Sequence, residues 1–533
     1  MIAANTPDTT MTIPTLEYTP VDKIEKIVET VRQGYNTDVT KSIKWRKQQL
    51  RQLYKMLDEN EDILCQAAYL DKKQSAGEAF LVDLMVLKNE VVDALENLDE
   101  WIKPERVNAG LVHALDRCEI RREPFGVALI IGAWNYAYQL TLGPFMAAIA
   151  AGNAAVIKPS EVAPFSAAVM TLLVEKYLDP NCIRVVNGGV PETTRLLELQ
   201  FDHIFYTGNG MVGKIVMAAA SKHLTPVVLE LGGKSPVIID DTADAQVVAK
   251  RLMWAKSVNC GQTCIAPDYV LATPDVLPKF VSACSAALNE LYGEKIRSSK
   301  DYPRIIAERH FDRLAGLLSE QLKVPGSKVA VGGFCDRNEL FIEPTVVTGV
   351  GKDDSANPLM KDEIFGPILP VIEIKNIDEA IEYVRSRDKP LALYVFSKSD
   401  KTISTVLSKT DSGNTVVNDL FMNMAVGELP FGGVGPSGMG KYHGHHGFLA
   451  YTHPRSTMIR PAGLEKLVSI RYPPLAYSAT GRKIVGMLLE KKLRGPAAQT
   501  VVSFLKKLPW NLVWWLACVA VGVVIGYFGR GRA

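Results

Sequence analysis

The chain has 533 residues, with 60 Lys or Arg against 58 Asp or Glu and a formal net charge of +2. Hydrophobic residues make up 47% and charged residues 22% of the chain, which excludes a disordered chain, a collagen and a coiled coil. The length predicts roughly two to four domains' worth of packed structure, and the balanced charge predicts no nucleic-acid partner. Eight cysteines without a CxxC pair indicate neither a disulfide framework nor a zinc ribbon.

The amino-terminal segment, residues 1–22, contains no basic residue before Lys23 and no apolar run. It matches neither a secretory signal nor an arginine-rich transit peptide. We therefore expect a disordered arm, and a reducing, cytosolic environment for the large domain.

Two sequence patterns follow one another along the chain. Residues 23–105 carry apolar residues at three- and four-residue spacing, which predicts helices. From about residue 125, short β-rich runs alternate with helical segments such as LTLGPFMAAIAAG, and the pattern recurs after residue 229. The predicted strands are FGVALIIGAW, AAVIKP, IRVVNGG, HIFYTG, PVVLELGG, SPVIID, YVLA, LPVIEI and LALYVFS. This alternation predicts βαβ units with parallel sheets in two α/β domains.

The carboxyl-terminal segment has no charged residue from Leu508 to Gly529, a length that crosses a bilayer core of about 30 Å as a helix. Interfacial Trp and Tyr residues lie near its ends. It predicts a transmembrane tail anchor, with a buried core helix as the alternative. The preceding run GRKIVGMLLEKKLRG predicts an amphipathic helix, suited to a headgroup surface or to ordinary packing. The flanking charges suit the mitochondrial outer membrane, with the endoplasmic reticulum and lipid droplet surfaces as alternatives.

Two segments indicate a dinucleotide. HIFYTGNGMVGK places Gly208, Gly210 and Gly213 after a predicted strand, as in dinucleotide-binding turns, although glycines also permit close packing. Glu230 lies 20 residues beyond Gly210, where the same pattern places a ribose-binding carboxylate. Lys158, at the end of another predicted strand, either contacts a ribose or is a surface lysine.

The segment SVNCGQTCIAPDY contains two cysteines, Cys260 and Cys264. A nucleophilic thiolate needs a turn, nearby backbone donors and some exposure. Gly261 and Gln262 allow the loop to bend, which favours Cys264; a buried structural thiol is the alternative for either cysteine. The histidines of KYHGHHGF do not predict a metal site, because glycines interrupt the helical spacing and no cysteine is close in sequence.

Seven ordered blocks carry a resemblance to a known family. They are GAWNY, GNAAVIKPSE, FYTGN–MVGK, LELGGKSP, GQTC, EIFGP and LPFGGVGPSGMGKYHG. Over roughly residues 23–475 the chain resembles the aldehyde dehydrogenase superfamily, most closely its class 3 group, which includes the membrane-bound (fungal-type) fatty aldehyde dehydrogenases. Asn209 stands where the family usually has Ser.

The resemblance implies an aldehyde dehydrogenase-like α/β fold, with a Rossmann-type cofactor domain, an α/β catalytic domain and the C-terminal transmembrane helix. The implied organisation is an arm (1–22), a cofactor domain (23–106 and 125–228), a catalytic domain (229–425), oligomerisation segments (107–124 and 426–455), an extension (456–507) and a tail anchor (508–529). A homodimer is the expected assembly.

The resemblance also implies residue roles. Cys264 is the nucleophile, and Asn135 with the backbone N–H of Cys264 forms the oxyanion site. Glu230 becomes the general base instead of the ribose ligand that spacing indicated. Cofactor contacts fall to Lys158, Glu161, Thr207, Gly208, Gly213, Glu363 and Phe365, and no metal is expected.

The function implied is NAD-dependent oxidation of long-chain aliphatic aldehydes such as hexadecanal to carboxylic acids, with NADP as a possible cofactor. Aromatic aldehydes such as hydroxybenzaldehydes are the alternative substrates, and Tyr136 and Tyr138 could line either pocket. An acylating enzyme that passes the thioester to coenzyme A would not need Glu230. A non-enzymatic membrane scaffold would not need Cys264 or Asn135.

Overall fold

The computed structural model describes residues 13–110, 113–463, 465 and 469–490. The chain divides into two compact units. The first comprises residues up to 105 together with 120–455, and the second comprises residues 106–119 and those from 456 onward. Every predicted site residue belongs to the first unit.

The strands vary in length from two residues to eight. They are β1 (Glu105–Arg106), β2 (Arg117–Pro124), β3 (Val127–Ile131), β4 (Ala154–Lys158), β5 (Ile183–Val185), β6 (His203–Thr207), β7 (Val227–Glu230), β8 (Pro236–Ile239), β9 (Tyr269–Ala272), β10 (Lys328–Val331), β11 (Cys335–Asp336), β12 (Phe341–Ile342), β13 (Thr345–Thr348), β14 (Ile368–Glu373), β15 (Ala392–Phe396), β16 (Asn414–Val417), β17 (Gly438–Met439) and β18 (Thr452–Ile459).

The helices vary in length from four residues to 17, and the first ones form the amino-terminal part of the first unit. They are α1 (Val21–Asn36), α2 (Ile43–Glu59), α3 (Glu61–Lys72), α4 (Ala76–Ala79), α5 (Met85–Trp101), α6 (Gln139–Ala151), α7 (Pro164–Tyr177), α8 (Val190–Glu198), α9 (Gly210–Ser221), α10 (Ala245–Ser257), α11 (Leu277–Tyr292), α12 (Glu308–Gln321), α13 (Pro358–Lys361), α14 (Ile377–Arg385), α15 (Asp400–Lys409), α16 (Gly444–Ala450) and α17 (Ala479–Leu489).

The helical prediction for residues 23–105 is confirmed in α1 to α5. In α1, Ile24, Val28 and Val31 are buried at the predicted spacing. The predicted helix LTLGPFMAAIAAG is α6, which is buried along its whole length. A helix that is apolar or small at nearly every position is expected to lie inside the molecule.

The first sheet has six strands in the order β17-β7-β6-β3-β4-β5, parallel except for β17. β3, β4 and β6 are buried at every residue, which explains their continuous apolar sequences. The strand order turns back between β3 and β6, as in dinucleotide-binding sheets. All five strands predicted between residues 125 and 230 are present, which confirms a Rossmann-type sheet.

The second sheet has seven strands in the order β10-β13-β14-β9-β8-β15-β16, and only β10 runs antiparallel. The four strands predicted after residue 229 are β8, β9, β14 and β15. Residues 231–235 connect the carboxyl end of β7 to the amino end of β8. The chain thus passes from the carboxyl edge of one sheet to the amino edge of the other, within one α/β unit.

The carboxyl-terminal predictions fall partly outside the structure. Helix α17 (Ala479–Leu489) begins two residues before the predicted amphipathic run and covers its first part, in which Ile484 is 36% exposed. None of the helices among the described residues has both the length and the apolar character needed to cross a membrane. The predicted tail anchor at residues 508–529 and the amino-terminal arm up to residue 12 lie outside the described residues.

Candidate active site

The first sheet brings four predicted site residues to its carboxyl edge. Lys158 ends β4, Thr207 ends β6 and Glu230 ends β7, while Asn135 follows β3 in the turn GAWN. Lys158 pairs with Ile131, the last residue of β3, and Thr207 pairs with Glu230. Because the carboxyl ends of parallel strands share one edge, these side chains belong to one crevice.

The cofactor-side residues are built for a polar ligand. Lys158 is 4% exposed, and its Nζ donates to Glu161 Oε2 at 2.7 Å. The hydroxyl of Thr207 is buried and has no hydrogen-bond partner in the described structure. A buried, unpartnered hydroxyl and a lysine–carboxylate pair at the same edge of the sheet fit the ribose and phosphate groups of a dinucleotide.

The turn after β6 depends on its glycines. A Cβ at Gly208 would lie 2.2 Å from the Tyr206 hydroxyl, and a Cβ at Gly213 would lie 2.8 Å from Leu231 Cδ2. At Gly210 nothing lies within 4 Å of a Cβ, so the amino-terminal end of α9 is open. Asn209 Oδ1 accepts from Val212 N at 2.9 Å and caps α9. Asn and Ser cap equally well, which explains why this position tolerates Asn.

Glu230 is almost completely buried, at 3% exposure. Burial raises its pKa well above the usual value, and a hydrogen bond from the Gly433 backbone N–H acts in the opposite direction. Its Oε1 has no partner in the described structure. A carboxylate with a raised pKa and a free oxygen can take a proton from water.

The second sheet contributes loops at its amino edge. Cys264 lies before β9, and Glu363 with Phe365 lies before β14. A Cβ at Gly232 would lie 2.0 Å from Glu363 Oε2, so the carboxylate rests directly on the chain that leaves Glu230. Burial raises the pKa of Glu363 to about 8, with a further rise from Asp268.

Cys264 is partly exposed, whereas Cys260 is completely buried. Cys260 Sγ contacts the Tyr302 hydroxyl at 3.2 Å, so this thiol is part of the protein interior. Burial raises the pKa of Cys264, as do Glu230 and Glu363, while the N–H groups of Cys264 and Ile265 lower it. The sequence left open whether either cysteine is a buried structural thiol. The structure shows that Cys260 is one, which favours Cys264 as the nucleophile.

The nucleophile loop bends differently from the expectation. Asn259, Cys260 and Gly261 all have left-handed φ values, of 51°, 55° and 69°. Gln262 does not bend the loop. Its fully buried side chain donates to Asn259 O at 2.9 Å and accepts from Ile306 N at 3.0 Å.

Tyr136 and Tyr138 have different environments. The Tyr136 hydroxyl lies 2.7 Å from Thr263 Oγ1, beside the nucleophile. Tyr138 is fully buried and donates to Leu64 O at 2.9 Å. The expectation that Tyr138 lines a substrate pocket is therefore wrong, because its hydroxyl is bound to a helix backbone.

The predicted nicotinamide contact Phe365 belongs to an aromatic group that the sequence did not reveal. The Trp134 ring lies 5.4 Å from Phe365 and 5.1 Å from His310. Phe365 has a left-handed φ of 52°, and Arg313 Nη2 donates to the neighbouring Ile364 O at 2.6 Å. Both His310 and Arg313 lie on α12, a helix without a family block in the sequence.

The three histidines near residue 444 do not converge. His443 is buried beside Glu90, with His443 Nδ1 3.4 Å from Glu90 Oε1. His445 is exposed and stacks 5.4 Å from Trp101. Among the residues that the structure describes, no group of three or more His, Cys, Asp or Glu could hold a metal ion.

Comparison with known proteins agrees with this geometry. The model of the aldehyde dehydrogenase family matches residues 1–457. Aldehyde dehydrogenase family 3 member B1 of Bos taurus is 45% identical over 454 residues, which cover 85% of this chain and 95% of that protein. Family 3 member A2 of Macaca fascicularis is 45% identical over 455 residues, covering 85% and 92%.

A third relative and a solved structure extend the comparison. The dimeric NADP-preferring aldehyde dehydrogenase of Canis lupus familiaris is 42% identical, covering 85% of this chain and 98% of that protein. The substrate-bound state of Staphylococcus aureus AldH has a TM-score of 0.83 and 39% identity, covering 87% of this chain and 99% of that one. The chain therefore belongs to the aldehyde dehydrogenase family and is an NAD- or NADP-dependent enzyme.

Proposed function

We propose that this enzyme oxidises long-chain aliphatic aldehydes to carboxylic acids at a membrane surface. The observation that carries the chemistry is the position of Cys264. It is the more exposed of two neighbouring thiols, and its pKa responds to both Glu230 and Glu363. The membrane part of the proposal depends on residues 508–529, which contain no charged residue.

The first step is attack of the Cys264 thiolate on the aldehyde carbonyl carbon, which forms a C–S bond and an oxyanion. In our proposal the Asn135 side chain and the backbone N–H of Cys264 donate to this oxygen. One such donor contributes on the order of 10²–10³ in rate. Burial raises the pKa of Cys264, and the backbone N–H groups of Cys264 and Ile265 act in the opposite direction, toward the thiolate that attacks.

Lys158, Glu161 and Thr207 would hold the adenosine side of the cofactor, with Gly208 and Gly213 shaping the turn. Glu363 and Phe365 would hold the nicotinamide side. The chemistry supplied by the bound dinucleotide is acceptance of a hydride from the carbon attached to sulfur, which leaves a thioester on Cys264.

Hydrolysis completes the reaction. Glu230 takes a proton from water, the hydroxide oxygen bonds to the thioester carbon, and the C–S bond breaks to release the acid and the Cys264 thiolate. Glu230 supports hydrolysis over transfer to coenzyme A, because an acylating enzyme needs no water-activating base.

Chain length is the test of the substrate class. A long alkyl chain partitions into lipid with about 0.8 kcal/mol per buried CH₂, so an anchored enzyme meets such aldehydes at the bilayer. We would measure kcat/KM of the full chain in vesicles for hexanal, hexadecanal and 4-hydroxybenzaldehyde, with Cys264→Ala as the control. We expect hexadecanal to be preferred. Preference for the aromatic aldehyde would be consistent with the proposed mechanism but would refute long-chain aliphatic aldehydes as the substrate class.

Location and assembly are part of the same proposal. We place the enzyme at the mitochondrial outer membrane with its large domain in the cytosol, and the endoplasmic reticulum or lipid droplets are the alternatives. We also propose a homodimer, formed through residues 107–124 and 426–455. Val519→Arg, which adds a charge to the proposed anchor, is expected to release the enzyme from vesicles, whereas Thr500→Arg is not.

A further inference from the structure

A short segment at the end of α3 reaches both loops that carry the proposed chemistry. Lys72 ends α3, Lys73 turns the chain with a left-handed φ of 55°, and Glu78 lies in α4. Neither Lys72 nor Glu78 belongs to a sequence block that carries the family resemblance. We name the pair Lys72 and Glu78, with the hydrogen bonds that they make, the bracket.

The first arm of the bracket fixes the oxyanion turn. Lys72 Nζ donates to the backbone carbonyl of Asn135 at 2.5 Å. Asn259 Nδ2 donates to the same oxygen at 2.9 Å. A carbonyl oxygen has two lone pairs, so both are occupied and the peptide that leaves Asn135 is held from two sides. The orientation of this peptide decides where the Asn135 side chain can point.

The second arm fixes the nucleophile loop. Glu78 Oε1 accepts from the backbone N–H of Asn259 at 2.9 Å and from Gln74 Nε2 at 2.9 Å. Asn259 therefore contacts both arms, through its side chain toward Asn135 and through its backbone toward Glu78. Five residues later in the chain lies Cys264.

The loop needs such support because its backbone is strained. Asn259 and Cys260 are consecutive non-glycine residues with φ of 51° and 55°. Each left-handed non-glycine residue costs on the order of 1–3 kcal/mol and persists only where surrounding contacts determine it. The Glu78 carboxylate and the Gln262 side chain supply those contacts at Asn259.

The bracket is made of charges that are costly to bury. Lys72 is 4% exposed, and burial lowers its pKa while Asp83, Glu78 and Asp71 raise it. Burial also raises the pKa of Glu78. An apolar side chain at position 72 would avoid the cost of burying a charge, so packing alone does not require a lysine there. Charged groups that donate to and accept from active-site backbone are therefore better explained by placement of that backbone.

We propose that Lys72 and Glu78 are positioning residues that set the oxyanion asparagine and the nucleophile loop in register with each other. They touch neither substrate nor cofactor in this scheme and act through Asn135 and Asn259. The inference deepens the proposed function and rests on its assignment of Asn135 and Cys264.

A double-mutant cycle in the full chain tests this inference. We would measure kcat and both KM values for Lys72→Met, Asn135→Ala and the double variant, with Lys73→Met as the matched control. Lys73 is the exposed neighbour and is expected to change nothing beyond about twofold. Lys72→Met is expected to lower kcat by about 10- to 100-fold, with the KM for NAD within about twofold, and Lys72→Arg is expected to restore part of the loss.

The double variant separates positioning from loosening of the fold. If Lys72 acts through Asn135, adding Lys72→Met to Asn135→Ala costs less than about twofold more. Losses that multiply, or a Lys72→Met enzyme with unchanged kcat, would overturn the inference. Should Lys72→Met fail to fold, the same cycle with Lys72→Gln, which keeps a polar side chain at this position, decides. An Asn135→Ala enzyme with full activity would instead refute the oxyanion assignment and, with it, the proposed mechanism.

Discussion

The two halves of the active site are held in place by different means. The cofactor-facing half consists of residues at the ends of β4, β6 and β7, and adjacent strands fix their spacing. The nucleophile half consists of loops that precede β9 and β14, and it contains left-handed residues such as Asn259, Cys260 and Phe365. Side chains from distant segments hold these loops by hydrogen bonds, Glu78 at Asn259 and Arg313 at Ile364. Regular structure thus positions the strand-end residues, which include the base Glu230, whereas specific long-range contacts position the loops that carry Cys264 and Phe365.

The largest expected effect comes from removing the thiols of the nucleophile half one at a time. Cys264→Ala is expected to lower turnover on the order of 10⁴-fold or more, because no other group can form the thioester. Cys260→Ala is the matched control and is expected to lose less than about tenfold, since Cys260 is buried against Tyr302. Steady-state NADH production checks both. An inactive Cys260→Ala enzyme that folds normally would contradict the assignment.

Replacing Glu230 tests its assignment as the general base, at the sheet edge where the two halves of the site meet. Glu230→Gln is expected to lower kcat by about 10²–10⁴-fold, because water is no longer deprotonated. The raised pKa of Glu230 means that the wild-type rate of thioester hydrolysis rises with pH above the usual carboxylate range. Rates of hydrolysis from pH 5 to 9 check this, and the variant should lose that rise. A Glu230→Gln profile with the wild-type rise would assign the base to another group.

How far the sequence predicts these halves depends on the range of the contacts. Lys158, Thr207 and Glu230 end strands with apolar sequences, so the apolar runs predict the strands, whereas Thr207 as a site residue is predicted by the family resemblance alone. The contact between Asn259 and Glu78 joins residues separated by 181 positions in the chain, and no local pattern indicates it. Strands β13 and β16 were also missed, and so were the eight-residue strands β2 and β18, whose polar sequences RCEIRREP and THPRSTMI lack the apolar run of a buried strand.

A substitution in the cofactor-facing half is expected to weaken NAD binding and to leave the rate of the chemical step nearly unchanged. Lys158→Met removes the charged partner of Glu161 and is expected to raise the KM for NAD by about 10- to 100-fold, as for loss of a charged hydrogen bond. The KM for aldehyde and the rate at saturating NAD should change little. Lys222→Met, at the exposed end of α9, is the control. Unchanged cofactor KM in Lys158→Met would show that the strand-end lysine is structural.

The smallest expected effect concerns a buried acid that lies away from the reacting loops. Burial raises the pKa of Glu90 to about 8 from a usual value of 4.5, so the folded state binds a proton that the unfolded state releases. Its stabilising contribution is therefore lost as pH rises from about 4.5 toward about 8. Burial lowers the pKa of His443 to about 4, so this residue is neutral in both states above about pH 7.

Glu90→Gln should therefore reduce the loss of stability between pH 7 and 8 by about 1 kcal/mol, with turnover within about twofold. Thermal unfolding at the two pH values measures this, and Glu96→Gln, on the exposed side of α5, is the control. The same pH dependence in wild type and Glu90→Gln would mean that Glu90 ionises normally in the folded protein. A buried acid that affects stability but not turnover would differ from Lys72 and Glu78, whose proposed role is in turnover.

The most direct test of the account is to trap the intermediate. Glu230→Gln enzyme mixed with NAD and hexadecanal should accumulate the thioester, because it forms and is not hydrolysed. Mass spectrometry of the digested protein should then find the acyl group on the peptide that contains Cys264, with one equivalent of NADH released per site. An acyl group on Cys260, or a full NADH burst with no covalent adduct, would contradict the central claim that Cys264 and Glu230 are the nucleophile and the base.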